Sequence, residues 1–117
     1  MKSYKELIVW KKAILLCTSI YQVTNTFPKS EIYSITSQIR RSAVSIPSNI
    51  AEGQVRGHNE FVQFLKIAYG SGAELETQLL IALNVKYLSQ KDYEQILFLL
   101  DEIMRMLNKL ISSLTSH

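Results

Sequence analysis

Apolar residues recur at alternating steps of three and four in four successive segments of this chain, a spacing that restricts it to helices packed along their lengths. In the first segment Leu7, Trp10, Ile14, Cys17, Tyr21 and Thr24 fall on one stripe; in the second, Ile32, Ile35, Ile39, Ala43, Ile46 and Ile50 do. Phe61, Leu65, Ala68, Gly72, Leu75, Leu79 and Ala82 form the third stripe, and Ile96, Leu100, Ile103, Leu107, Leu110 and Leu114 the fourth. No comparable run alternates apolar with polar residues between turn dipeptides, so strands are not expected.

Phe27-Pro28 closes the first helix, because the residue before proline is pushed out of the helical region, and Ser30 is placed to cap the second. The second helix runs to Gly53 or slightly beyond, and a Gly57-His58-Asn59 turn leads into the third. Ser89-Gln90-Lys91-Asp92 opens the fourth as a relative of the capping box. Short connections between four such helices predict an antiparallel up-down-up-down four-helix bundle, with residues 1–117 as a single domain.

The second segment, QIRRSAVSIPSNIAEG, holds residues that a helix ordinarily avoids. Gln38, Ser42, Ser45, Asn49 and Glu52 share one face, and serine and asparagine compete with the backbone for hydrogen bonds, so plain solvent exposure does not account for them. The third segment has its own second stripe in Glu60, Phe64, Ile67, Ser71, Glu74 and Gln78. Folding the two helices into a hairpin about residues 56–57 puts Ser42 near Ser71, Ser45 near Ala68, and Arg40 and Arg41 level with Ser71 to Glu76, where guanidinium and carboxylate would pair. Pro47 removes a backbone donor and obstructs the Ala43 carbonyl, so it is expected to bend or interrupt the helix. The polar stripe of Gln38, Ser42, Ser45, Asn49, Glu52, Ser71 and Glu74 reads either as an internal network with a subunit contact or as a contact surface for a ligand or nucleic acid.

Charge is uneven along the chain. Residues 1–56 hold eight Lys/Arg against three Glu, whereas residues 57–117 hold five against seven acids, which together give the net +3. Lys5, Lys11, Lys12, Arg40, Arg41, Arg56 and Lys66 are candidate phosphate contacts, which would supply affinity without reading sequence. Apolar runs fall short of the ~20 residues that span a bilayer, and charges interrupt the N-terminal apolar stretch, so neither a membrane span nor a signal peptide is expected and a cytoplasmic setting is. Cys17, the one cysteine, reads as a buried, inert thiol. With histidines only at 58 and 117, no metal cluster, cofactor site or nucleophile–base arrangement is expected, and the Glu-x-x-His motif of di-iron bundles is absent from the sequence.

The runs LIVWKKA, TNTFPKSEIYSITSQIRRSAVSIPSNIAEG and NEFVQFLKIAYGSGAELETQL resemble, from Leu7 to Tyr93, the 23S rRNA-intervening-sequence proteins, also called the S23 or four-helix bundle family. The resemblance marks Trp10, Phe27-Pro28, Glu31, Gln38, Arg40-Arg41, Ser45, Pro47, Asn49, Glu52-Gly53, Glu60-Phe61, Phe64-Leu65, Ala68, Gly70-Ser71 and Glu74. The chain departs from the pattern at Gly72, where a larger aliphatic residue is usual, and at Val85-Lys86, where the third helix usually ends in Leu-Gly. Related accessory proteins of diversity-generating retroelements form pentameric barrels, bind nucleic acid and associate with a reverse transcriptase. The resemblance therefore implies a cyclic homo-oligomer, a pentamer, that binds RNA or DNA through a basic surface, with a reverse transcriptase as a further partner, and the lack of a catalytic residue arrangement in the sequence makes a non-enzymatic role the expectation. An assembly or protein-interaction scaffold without nucleic-acid binding is the alternative.

Overall fold

The computed structural model describes residues 3–116; His117 lies outside them. Helix α1 spans Ile8–Thr24, α2 Ile35–Arg56, α3 His58–Asn84 and α4 Gln90–Thr115, with short 3-10 turns at Tyr4–Glu6 and Lys29–Glu31 and no strand among the described residues. Each helix packs on its chain neighbour and α4 returns to α1, so α1 faces α3 and α2 faces α4 across the diagonals of a four-helix bundle about 46 Å long.

Three of the four expected stripes form the core. Ile39, Ala43, Ile46 and Ile50 of α2 are buried against Phe61, Leu65, Ala68, Leu75, Leu79 and Ala82 of α3 and Ile96, Leu100, Ile103 and Leu107 of α4. The first helix departs from expectation: its buried residues are Val9, Ala13, Leu16, Ile20 and Thr24, while Ile14 and Tyr21 are exposed. Residues 8–17 are apolar at every position except Lys11 and Lys12, so two stripes with helical spacing compete and periodicity alone does not choose between them. The helix turns the stripe containing small Ala13 inward and leaves the other along its edge with α2.

Helix α2 begins later than the sequence suggested. Ser30 sits in the 3-10 turn, Ile32 is exposed, and Ser34 occupies the N-cap without a side-chain bond. Tyr87 fastens this region to the far loop by donating to Glu31 Oε2 at 3.2 Å and packing its ring against Phe27, 5.8 Å between centroids. The cap of α4 forms as expected, with Ser89 Oγ accepting from the Asp92 N–H at 3.1 Å.

Pro47 does not interrupt α2, which is helical throughout Ile35–Arg56. The carbonyl that a residue-47 N–H would engage belongs to Ala43, and the Cys17 thiol of α1 donates to it at 3.2 Å. One turn further on, Asn49 Nδ2 donates to the Ser45 carbonyl at 2.7 Å. Side chains thus supply donors to the carbonyls around the proline.

Gly57 alone separates α2 from α3, at φ 124° and ψ 179°, a conformation reserved for glycine. Just before it, Gly53 lets α3 approach closely: a Cβ there would lie 2.5 Å from Phe64 Cβ. At the other end of α3, Lys86 takes φ 69°, Tyr87 N–H donates to Ala82 O at 2.9 Å and Lys86 N–H to Leu83 O at 3.0 Å. These are the two bonds of a Schellman cap, made with lysine where glycine is usual. Gly72, the other departure, is buried against Met104 of α4, whose thioether occupies the space that an aliphatic side chain would fill.

Candidate functional site

The face shared by α2 and α3 is polar because each helix contributes small hydrogen-bonding side chains at matched levels. Ser42, 4% exposed, donates to Gln78 Oε1 at 2.9 Å and lies 3.2 Å from Glu74 Oε1. A turn along, the Ser45 and Ser71 hydroxyls meet at 2.8 Å, and Asn49 Nδ2 donates to Ser45 Oγ at 2.9 Å. Ser42, Ser45, Asn49, Ser71 and Glu74 therefore form one seam, which Gln78 completes. The register is about one turn further along α3 than a hairpin about residues 56–57 would give, because Gly53 packs against Phe61 and Phe64 and sets the level. Glu52 does not join the seam: its Oε2 accepts from Arg56 Nε at 3.0 Å and Nη2 at 2.7 Å. Gln38 lies on the exposed rim of a groove of about 530 Å³ that continues the seam.

The arginines do not pair with the glutamates of α3. Arg40 turns the other way, toward α1, where its Nε donates to Thr24 Oγ1 at 2.9 Å and its guanidinium sits 4.6 Å from the centre of the Tyr21 ring. Its rotation follows from position: residue 40 lies on the α1 edge of α2, beside buried Ile39 and Ala43. Arg41, exposed, lines the groove above Ser42 and Glu74 and also a second one beside Tyr21, Arg40 and Val44. Among the described residues neither arginine has a carboxylate within ion-pair distance.

The other candidate cations divide. Lys12 pairs with Glu102 at 3.2 Å across α1 and α4, and Arg56 pairs with Glu52 while its guanidinium stacks 5.1 Å from the Phe64 ring. Lys5, Lys11 and Lys66 are exposed and form no ion pair among the described residues. Lys5, Lys11, Arg56 and Lys66, toward the α2–α3 turn, stand apart from Arg40 and Arg41, and Lys12 is held by Glu102, so the seven cations do not make one strip.

Gln78, already on the α3 stripe one turn after Glu74, joins the seam, and Tyr33, 94% exposed beside the groove, carried no periodic signal. Burial pushes the Cys17 thiol up from 9.0 to about 11, which suits a hydrogen-bond donor and not a nucleophile. No group of three or more His, Cys, Asp or Glu suited to a metal occurs among the described residues. No helix of the described residues is long and apolar enough to cross a membrane.

This geometry defines an all-helical bundle with a polar α2–α3 seam and an arginine-bearing flank. The chain belongs to the family described as 23S rRNA-intervening sequence protein, whose model matches residues 5–109. It is similar to the crystal structure of a protein of unknown function from the S23 ribosomal protein family of Bacteroides thetaiotaomicron. That likeness has a TM-score of 0.79 at 26% identity and covers 89% of this chain and 98% of that one. No curated protein matches. Neither description names a reaction or a ligand.

Proposed function

We propose that this protein is a non-catalytic, self-assembling bundle that holds nucleic-acid phosphates on the arginine-bearing flank of α2. One observation carries the reading: Arg40 and Arg41 sit side by side without a carboxylate partner, whereas Lys12 and Arg56 are each matched to a glutamate. A guanidinium with unused N–H groups beside a groove meets a phosphate in the same forked geometry that it would offer a carboxylate. Lys5, Lys11 and Lys66 add charge at the other end of the bundle, and a cyclic homo-oligomer, the pentamer that the resemblance implies, would repeat both groups around its axis.

A titration of structured RNA and of duplex DNA, followed by fluorescence anisotropy at low and near-physiological salt, tests this reading. Binding that weakens steeply with salt is expected, together with its loss in the Arg40→Ala/Arg41→Ala variant. No binding at low salt would overturn it.

The scaffold reading draws on a separate observation. Ile14, Tyr21, Ile32 and Val44, each at least 40% exposed, lie along the same α1–α2 flank, and apolar side chains gathered on one side of a bundle favour burial by a second copy. Sedimentation of the double arginine variant separates the two roles: assembly kept with binding lost assigns the arginines to phosphates, and assembly lost assigns them to the subunit contact.

A further inference from the structure

The groove at the upper end of the α2–α3 seam brings a carboxylate, a guanidinium and an exposed phenol to one polar cleft. Ser42 forms its floor, fixed by Gln78 and Glu74; Arg41 and Gln38 stand on the α2 side, and Tyr33 projects at the entrance. Arg41 has no ion pair among the described residues, and Tyr33 is 94% exposed, so neither side chain is placed by the fold of one chain. Glu74 has one oxygen near the Ser42 hydroxyl, which leaves its other oxygen and further lone pairs open to the groove.

A carboxylate and a guanidinium facing one polar cleft select a ligand with adjacent donors on one edge and adjacent acceptors on another. Among the four bases guanine alone has this pattern: N1–H and N2–H for a carboxylate, O6 and N7 for an arginine fork. An exposed tyrosine beside the cleft supplies a stacking surface of the kind that unpaired bases use. The cleft, about 530 Å³, has room for one nucleotide. Arg41 and Ser37 also line the neighbouring groove beside Arg40 and Tyr21, so a strand leaving the cleft passes the second guanidinium.

We propose that the Tyr33–Arg41–Glu74 groove binds an unpaired guanine nucleotide, with Glu74 on the Watson–Crick edge, Arg41 on O6 and N7, and Tyr33 against the ring. The proposal rests on the nucleic-acid reading above and adds base selectivity to it: with guanine in the cleft Arg41 holds the base and Arg40 is left for phosphate. Gln38 and Gln78 stand within the same cleft as adaptable donors and acceptors for the ribose and the base edge.

The test compares three labelled single strands by anisotropy: a short uridine run, and the same run with one central guanine or one central adenine. The guanine strand is expected to bind about tenfold more tightly than the other two, the discrimination that one well-made bidentate contact supplies. In Glu74→Gln, a change at an exposed position, that preference falls to within about twofold, read as the ratio of guanine-strand to uridine-run affinity within the same variant. Equal binding of all three strands, or a preference that survives Glu74→Gln, overturns the guanine site and leaves the phosphate reading standing. Guanosine monophosphate titrated alone, followed by amide NMR, gives the converse. Shifts around Ser42 and Gln78 with this nucleotide and not with adenosine monophosphate support the site even if no strand binds. No shift with either nucleotide, accompanied by loss of self-association in Glu74→Gln, assigns the groove to a neighbouring subunit and overturns the proposal.

Discussion

The Cys17 thiol donates to the Ala43 carbonyl at 3.2 Å, the same carbonyl that Pro47, four residues along α2, cannot engage. A proline inside a helix leaves this acceptor without its usual N–H, and a buried acceptor without a donor costs about 1–3 kcal/mol. The thiol is a weak donor, but it approaches from the helix that covers the gap, and α2 stays continuous around the proline.

Cys17→Ala is therefore expected to destabilise the bundle by about 1 kcal/mol or more, through the lost donor and the small cavity left behind. In a Pro47→Ala background, where residue 47 regains its N–H, the same change should cost less. Urea denaturation of the four chains in this double-mutant cycle measures the difference. Equal costs in both backgrounds would remove the link between thiol and proline.

Alkaline pH should weaken the fold. Burial holds the Cys17 thiol up at about 11 against 9.0, and the Tyr87 phenol is raised by its hydrogen bond to Glu31, then by burial and by the negative charge of that carboxylate. Both are acids whose protonated form the fold favours, so the folded chain keeps these protons more tightly than the unfolded one. The cysteine's contribution is complete below pH 9.0 and is lost as pH rises toward 11. Thermal melts across this window, with Cys17→Ala showing a shallower decline, check the assignment.

The ends of α3 should respond oppositely to glycine chemistry. Gly57→Ala places a side chain at φ 124° and is expected to cost about 1–3 kcal/mol. Lys86→Gly relieves a left-handed lysine within an intact Schellman cap and is expected to stabilise by up to about 1 kcal/mol. Denaturation midpoints of the two variants, compared with the parent chain, measure both.

Removing one hydroxyl of the Ser45–Ser71 pair should cost about 1 kcal/mol, since the remaining hydroxyl stays half-buried without its partner. Ser45 also receives Asn49, so Ser71→Ala is the cleaner single change. The Ser45→Ala/Ser71→Ala chain should lose less than the two singles together, and a strictly additive result would show the contact to be idle.

If the bundle binds single strands, its salt dependence should distinguish matched from unmatched cations. Arg41→Ala is expected to reduce the slope of log K against log salt by about 0.7 on a uridine run, where Arg41 has no guanine to hold and meets a phosphate. Lys12→Ala, whose ammonium already pairs with Glu102, should leave the slope near its parent value. A larger loss from Lys12 than from Arg41 would reverse the assignment of the two groups.

The sequence by itself determined the helices, their number and the inward faces of α2, α3 and α4, because the spacing of apolar residues is a property of each segment alone. It also put Ser42, Ser45, Asn49, Ser71 and Glu74, together with Gln38 and Glu52, on polar stripes of two successive helices, without saying whether those stripes faced inward or outward. The tertiary structure decided what each edge meets. Helix α1 carries apolar residues on more than one side, so only packing against α2 and α4 selected Val9, Ala13, Leu16 and Ile20 over Ile14 and Tyr21. The register of α3 on α2 follows from the close contact at Gly53, and with it Ser42 reaches Glu74 and Gln78 while Arg40 turns to Thr24 and Tyr21. Local periodicity carries no information about distance between helices, and it is that distance that joins Cys17 to the carbonyl left open by Pro47.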